Sequence, residues 1–316
     1  MIALSELEEL RKNLEKLGIP GRDLYELPSS KLRFPDGAHY RIEISGIERP
    51  STLEAMIDEM DKRKIPVHRI ISTVMGSTLL DEKELAKFAQ LAKDAKLEVI
   101  ITPGPRTAWD LGAQLRTPEG ALSGMRIRGS DNLSHIIADI KRCTDIGFRG
   151  FLVMDEGLLW ILNNLRKEGI IPKDTVFKVS ILAGHANAAG ARVLETLGAN
   201  TFNPVGDLTL PMFASLRKAV TIPMDVHIFL FDSFGGFNRF WEAPELARIC
   251  SPCYFKIEPG VSMSALYKPW VSENALAELA REKVKYAEII KEIIDKNMPD
   301  LKLSQRGAKD LAIPKP

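Results

Sequence analysis

The chain of 316 residues is longer than most single domains, but α/β barrels of this length fold as one domain. Its 43 basic and 42 acidic residues give a formal net charge of +1, which argues against nucleic-acid or charged-membrane partners. The sequence contains no 18-residue apolar run of the kind that spans a membrane. Three cysteines, an odd number, argue against a disulfide framework, and the acid-rich start is unlike a signal peptide. We therefore expect a cytoplasmic protein.

Three segments follow from the pattern along the chain. Residues 1–38 are expected to form a helical extension, because leucines from Leu7 to Leu17 fall on one helical face and a glycine–proline segment ends it. Residues 39–272 are expected to form the α/β barrel. Residues 273–316 are expected to form a long helix and a polar tail that pack on the barrel.

The central segment alternates strand-like apolar runs with amphipathic helical patterns. Strands separated by such helices need crossover connections and therefore form a parallel sheet. This predicts a (β/α)8 TIM-type barrel, whereas the alternative, an open doubly wound sheet, lacks the expected GxGxxG after its first strand. Nine segments have the pattern of a strand, so at least one of them must lie outside an eight-stranded barrel. They are HYRIEISG, VHRIISTV, LEVIITPG, MRIRGS, GFLVMDEG, FKVSIL, TFNPV, DVHIFL and CYFKIEPG.

Polar residues follow the strands of the stretch from Phe177 to Leu230. His185 comes directly after a strand and a glycine, and small residues follow it. In parallel α/β folds the ligand lies beyond the carboxyl ends of the strands. His185 is therefore a candidate base, metal ligand or hydrogen-bond donor, and the alternative is a capping or buried structural histidine. Asn203 ends the next strand and is a candidate for positioning the substrate.

Asp225 and His227 point to the same face of one strand, because successive side chains alternate. Such a pair binds a metal through oxygen and nitrogen, or a carboxylate fixes the tautomer of its histidine. The alternative is an internal hydrogen-bonded pair in the barrel floor. The D-x-H pattern by itself leaves these three interpretations open.

Carboxylates occupy two strand interiors and one strand end. Glu43 and Glu258 lie between apolar residues, where a charge is costly unless paired, and Arg41 and Lys256 are the expected ion-pair partners. Glu156 follows a strand beside an aspartate that can cap the next helix. Together with the histidines these acids suggest a divalent metal ion as cofactor, with four candidate ligands. They are Glu156, His185, Asp225 and His227.

Two arginines share one face of the fourth run, MRIRGS. Arg126 and Arg128 would suit a carboxylate or phosphate, and the alternative is that they pair with the acids. The complete hypothesis assigns catalysis to His185, His227, Glu156 and Glu258, and substrate binding to Glu43, Arg126, Arg128, Asn203 and Lys256.

Two further motifs are weaker. CSPC at Cys250–Cys253 has redox-motif spacing, but it ends a helix and starts a strand, so we expect it to serve packing. The segment DSFGGFNRFW, with two glycines and four aromatic residues, is expected to form a lid over the barrel mouth or a patch buried against a second subunit.

Residues from about 150 to 230 resemble the peptidase U32 family of collagenase-like proteases. The resemblance is carried by VMDEG, LAGHANAAGARVLETLGAN, the acidic Asp-Leu-Thr-Leu helix start and the strand DVHIFLF, in this order. It implies a barrel fold and amide hydrolysis. Members of this family place several cysteines after the last of these strands, whereas this chain has Cys250, Cys253 and one other, Cys143. A four-cysteine iron–sulfur cluster is thus excluded by count.

These observations lead to three functional hypotheses. The first is a U32-like hydrolase acting on an amide or another small polar or carboxylated substrate by acid–base or metal-assisted chemistry. The second is a metal-dependent aldolase or isomerase that uses the same residues. The third is a non-catalytic scaffold barrel. The expected partners are a small-molecule or peptide substrate and further copies of the chain.

Overall fold

The structure, a computed structural model, describes residues 4–73, 76–106, 110, 126–230, 235–258 and 273–316. Within these residues, eight parallel strands follow one another around a closed barrel, and β8 pairs with β1. This is the predicted (β/α)8 TIM barrel. The strands are β1 Tyr40–Ser45, β2 Arg69–Ser72, β3 Glu98–Ile101, β4 Gly150–Val153, β5 Val176–Val179, β6 Thr201–Phe202, β7 Met224–Phe229 and β8 Cys253–Ile257.

Helices surround the barrel and connect its strands. The extension contains α1, and the last helix, α9, packs mainly against α2. No helix among the described residues is long and apolar enough to cross a membrane. The helices are α1 Leu4–Lys16, α2 Pro50–Arg63, α3 Glu82–Asp94, α4 Gly129–Ile146, α5 Glu156–Glu168, α6 Ala188–Leu197, α7 Leu210–Ala219, α8 Ala243–Cys250 and α9 Glu273–Asn297.

The candidate strand that lies outside the eight-stranded barrel is MRIRGS. Its described residues form no strand, and Arg128 is the N-cap residue of α4. The ring has no place for this run because β3 pairs directly with β4, with Ile100 opposite Gly150. A Cβ atom at Gly150 would lie 2.3 Å from the Val99 carbonyl oxygen, so a glycine is needed where these two strands approach. The prediction that the two arginines share a strand face was therefore wrong.

The barrel interior is divided into an apolar part and a charged part. Ile71, Ile100 and Leu152 form a buried apolar cluster on β2, β3 and β4. Charged side chains from β1, β2, β5, β7 and β8 fill the remainder, and the apolar residues of alternate positions on these strands pack outward against the helices. The charged part reaches the carboxyl ends of β7 and β8, where it positions the candidate site.

The C-terminal tail closes the amino-terminal end of the barrel. Asp310 accepts two hydrogen bonds from the Arg41 guanidinium, at 2.7 and 2.9 Å. The Ala312 amide donates to Glu98 at 2.9 Å, and the Ser304 amide donates to the Tyr40 carbonyl at 3.1 Å. The tail therefore stabilises the end of the barrel that lies opposite the candidate site.

Candidate active site at the carboxyl ends of the strands

A histidine, a lysine and a glutamate meet at the ends of β7 and β8. Nε2 of His227 lies 2.7 Å from Oε1 of Glu258, and Nζ of Lys256 lies 2.6 Å from the same oxygen. The register of the two strands places His227 beside Lys256. The three residues are 1%, 2% and 3% exposed. Lys256 also donates to Oδ1 of Asn203 at 3.3 Å, so the structure brings four of the predicted site residues together.

The charges of this cluster fix the protonation of His227. Burial raises the pKa of Glu258, but Lys256 and the hydrogen bond from His227 outweigh it and bring the pKa to about 2. Burial and the Lys256 charge lower the pKa of His227. The imidazole is therefore neutral at pH 7, and its Nε2 carries the proton that the Glu258 carboxylate accepts.

This tautomer leaves Nδ1 of His227 with a free lone pair. Nδ1 has no hydrogen-bond partner in the part of the chain that the structure describes, and the same holds for the Ser45 hydroxyl. Ser45 ends β1, and because Ile44 pairs with Ile257, Ser45 and Glu258 follow at adjacent positions. Buried polar atoms without partners are rare in folded proteins, so two of them on β1 and β7, the strands on either side of β8, make this region a candidate binding site.

A second lysine, Lys283 of α9, reaches the same region. Its Nζ donates to the Ser45 carbonyl at 2.7 Å, and the residue is 1% exposed. Burial lowers its pKa to about 7, against the opposing charges of Glu258 and Glu48. Sequence reasoning missed this residue, although a signal exists. Lys283 interrupts a helical series of otherwise apolar buried positions, Leu276, Ala280, Ala287 and Ile290.

A separate cluster lies at the ends of β4 and β5. Nε2 of His185 lies 2.7 Å from Oε1 of Glu156, and Nη2 of Arg126 donates to the same oxygen at 3.2 Å. Asp155 caps α5 through the Leu158 amide at 3.0 Å, so the expected capping by this aspartate is present. Burial and the Arg126 charge lower the pKa of His185.

This second cluster is more accessible than the first. The side chains of Arg126, Glu156 and His185 are 40%, 26% and 16% exposed. Beside it lies a cleft of about 40 Å³, lined by Ile127, Met154 and Asp155 among others. Arg128 is placed differently from Arg126, because it occupies the N-cap position of α4 and its side chain donates to the Arg126 carbonyl at 2.9 Å.

Glu43 and Asp225 lie deeper, in a buried ion network. Nζ of Lys178 is 2.5 Å from Asp225 and 3.1 Å from Glu43, and the Arg69 guanidinium contacts both carboxylates. Burial lowers the pKa of Lys178 to about 8, although the two acids oppose this shift. Arg41, the partner expected for Glu43, binds Asp310 instead. The expected pairing of Lys256 with Glu258 is present.

The four candidate metal ligands consequently occupy three places. Glu156 lies with His185, His227 lies with Glu258, and Asp225 lies between Arg69 and Lys178. In the described ranges, no group of three or more histidine, cysteine, aspartate or glutamate residues is arranged to hold a metal ion.

Two of the predicted motifs remain. Cys250 and Cys253 are buried free thiols, and burial raises the pKa of both. Of the aromatic segment after β7, residues 231–234, which include Asp232, are outside the described residues. The rest pairs back onto β7, since the Arg239 amide donates to the Ile228 carbonyl at 2.8 Å and the Leu230 amide donates to Phe237 at 3.0 Å.

Comparison with solved structures finds other barrels. An aldolase from Escherichia coli K12 is 15% identical with a TM-score of 0.46, and the match covers 81% of this chain and 90% of that one. A U32 peptidase is 18% identical with a TM-score of 0.41, covering 64% and 74%. D-Psicose 3-epimerase from Clostridium cellulolyticum H10 is 10% identical with a TM-score of 0.47, covering 79% and 99%. These likenesses concern the barrel fold alone. No protein-family model and no curated protein matches the sequence.

Proposed function

We propose that this barrel is an acid–base enzyme that moves a proton next to the carbonyl group of a small polar or carboxylated substrate. The observation that carries the proposal is the buried His227, whose Nε2 is held by Glu258 and whose Nδ1 has no partner among the described residues. A neutral imidazole with one nitrogen fixed by a carboxylate is a suitable general base, because its other nitrogen can accept a proton. His227 would be that base, and Glu258 would position it.

Lys256, held in place by Asn203 and Glu258, would stabilise the negative charge that forms on the substrate when His227 removes the proton. When a base removes a proton next to a carbonyl group, negative charge develops on the carbonyl oxygen. A fixed cation inside a buried site stabilises such an oxygen more strongly than it would in water. Nζ of Lys256 is held by Glu258 and Asn203, so its position does not depend on the substrate. This combination is typical of isomerases and of lyases such as aldolases.

Burial supports a small substrate for this cluster. His227, Lys256 and Glu258 are nearly inaccessible, and a small molecule enters such a site more readily than a polypeptide chain does. The test is proton exchange in D2O, followed by NMR, with a panel of 2-oxo acids and ketoses. We expect one of them to lose its C–H signal, and His227→Gln to slow this loss by about 10²- to 10⁴-fold. Exposed His135 provides the matched control, His135→Gln, which should leave the rate unchanged.

The second candidate is hydrolysis of an amide at the Glu156–His185 pair. Its specific support is that both residues lie in the stretch that resembles the U32 peptidases, and that their cluster is partly exposed. Glu156 and His185 would activate a water molecule, and Arg126 would bind a substrate carboxylate. A divalent metal ion bound to this pair remains a prediction, so the assay with short peptides includes added Mn²⁺ and Zn²⁺.

The two candidate reactions depend on different histidines, so variants at positions 185 and 227 distinguish them. Proton exchange that depends on His227 but not on His185 supports the first. Peptide cleavage that is lost in His185→Gln and kept in His227→Gln supports the second. If neither reaction occurs with the wild-type protein, the non-catalytic scaffold becomes the better hypothesis.

A further inference from the structure

The starting observation is a lysine on the core-facing side of a helix. Lys283 lies in α9 among buried apolar residues and is itself 1% exposed. Long charged side chains normally extend to solvent from such positions. This one instead turns toward the carboxyl end of β1, where its Nζ donates to the Ser45 carbonyl at 2.7 Å.

The Lys283 amine differs in its ion pairing from the other buried lysines of the described residues. No carboxylate of the described residues lies within 4.0 Å of its Nζ, whereas Lys178 has two such carboxylates and Lys256 has one. A buried ammonium group without an ion-pair partner is costly, so the neutral amine is favoured. Consistent with this geometry, the pKa is lowered to about 7, which leaves about half of the amine neutral at pH 7. A neutral, buried lysine is a nucleophile.

The amine lies at the same end of the barrel as the proposed base cluster. Its Nζ is hydrogen-bonded to the carbonyl of Ser45, the last residue of β1, and Glu258 occupies the adjacent position on β8. The charge of Glu258 also acts on the amine electrostatically. The nucleophile, the carboxylate and the imidazole that the carboxylate holds thus share the carboxyl end of the β1–β8–β7 part of the barrel.

We propose that Lys283 forms a Schiff base with the carbonyl carbon of the substrate, an inference that rests on the proposed function. The Nζ lone pair forms a bond to the carbonyl carbon, and the π electrons move to the oxygen, which takes up a proton released by the nitrogen. The resulting hydroxyl leaves as water after accepting a second proton from solvent, and the nitrogen lone pair completes the C=N⁺ bond. In this form of the reaction the iminium ion takes the electron-withdrawing role of the carbonyl oxygen, and Lys256 stabilises that oxygen earlier, during the addition step. The iminium ion acidifies the neighbouring C–H bond, whose proton His227 then removes. The substrate class is a small 2-oxo acid or ketose.

The test that does not require the natural substrate uses formaldehyde and cyanoborohydride, which methylate neutral amines through a reduced Schiff base. The folded protein is treated between pH 6 and 9, and modified lysines are quantified by peptide mass spectrometry. Lys283 should react with a midpoint near pH 7, whereas exposed lysines react with midpoints near 10. An unmodified Lys283 in a protein whose exposed lysines are modified would overturn the inference.

The second test uses pyruvate and dihydroxyacetone with borohydride. We expect a stable adduct on the peptide that contains Lys283, and none in Lys283→Met, an apolar substitution that suits a core position. Lys285→Met, an exposed position on the same helix, is the matched control and should keep the adduct. Proton exchange without an adduct overturns this inference alone. An adduct without proton exchange overturns the proposed function alone, and the absence of both overturns both.

Discussion

Oε1 of Glu258 lies 2.7 Å from Nε2 of His227. This contact determines the tautomer, and therefore the chemistry, of the histidine. Replacing Glu258 by glutamine should slow the reaction about 100-fold, because the charge that raises the pKa of His227 is lost and the base is weakened. The same change leaves Lys256 without its carboxylate and should cost about 3 kcal/mol of stability.

Chemical denaturation and the exchange rate together check this prediction. Glu278→Gln, which removes an exposed ion pair with Arg281, is the control and should change stability by less than about 0.5 kcal/mol. A Glu258→Gln protein of unchanged stability and activity would mean that the cluster has neither role.

Gly190 allows the His185 ring to approach α6. A Cβ atom at this position would lie 2.7 Å from Nδ1 of His185. Alanine in place of a helical glycine normally adds about 1 kcal/mol of stability. In the wild-type protein we expect Gly190→Ala to give no such increase in the free energy of unfolding, because the His185 ring must move away from Glu156. In a His185→Ala background the same substitution should give the full increase. Thermal unfolding of the four proteins of this cycle measures the difference. Equal effects in both backgrounds would contradict the contact.

Asp225 is predicted to stabilise the fold. It contacts Arg69 and Lys178 inside the barrel, where an unpaired charge is costly. Asp225→Asn should therefore reduce the free energy of unfolding by about 3–5 kcal/mol. Asp145→Asn, at an exposed pair with Lys141, should have almost no effect. A stable Asp225→Asn protein that loses activity would instead assign Asp225 to the site, as the sequence hypothesis of a metal ligand did.

His68 should make the protein sensitive to acid. Both ring nitrogens are bonded, to the Ile42 amide at 3.1 Å and the Ser304 carbonyl at 2.8 Å, and burial lowers the pKa to about 4. Between pH 6.5 and pH 4 the unfolded chain binds a proton that the native protein does not. The contribution of His68 to the free energy of unfolding therefore falls by about 3 kcal/mol as the pH decreases from 6.5 to 4.

Glutamine at position 68 tests this dependence, since its amide can donate and accept but does not titrate. The pH profile of urea unfolding should become flatter between pH 6.5 and 4 in His68→Gln. The profile should remain unchanged in His135→Gln, since His135 is exposed. If the free energy of unfolding still falls as steeply between pH 6.5 and 4 in His68→Gln, the acid sensitivity belongs to other groups.

The alternation of residues along single strands predicted much of the site. It placed Asp225 and His227 on one face, and it identified the pairing of Lys256 with Glu258, because these residues lie two apart on β8. Glu43 was assigned the wrong partner because long side chains cross the barrel. Its carboxylate meets Arg69 of β2 and Lys178 of β5, and strand periodicity specifies a face without specifying which residues meet across the interior.

Two other features depend on tertiary structure. Arg126 and Arg128 read as strand residues because of their local alternation, yet the close approach of β3 and β4 at Gly150 leaves no room for another strand. Lys283 was passed over because lysine in a helix is ordinarily exposed. Its place in the apolar series of α9 indicates a buried position, and the packing of α9 on the barrel shows that the position is buried.

The protonation state of His227 decides whether this residue can act as the general base, and measuring it requires no substrate. Nitrogen-15 NMR of the histidine side chains, with His227 assigned from the spectrum of His227→Gln, reports the tautomer and the pKa. We expect a neutral ring at pH 7 with the proton on Nε2 and a pKa lowered from the ordinary value of histidine. A charged ring at pH 7, or a proton on Nδ1, would contradict the role of His227 as the base of this barrel.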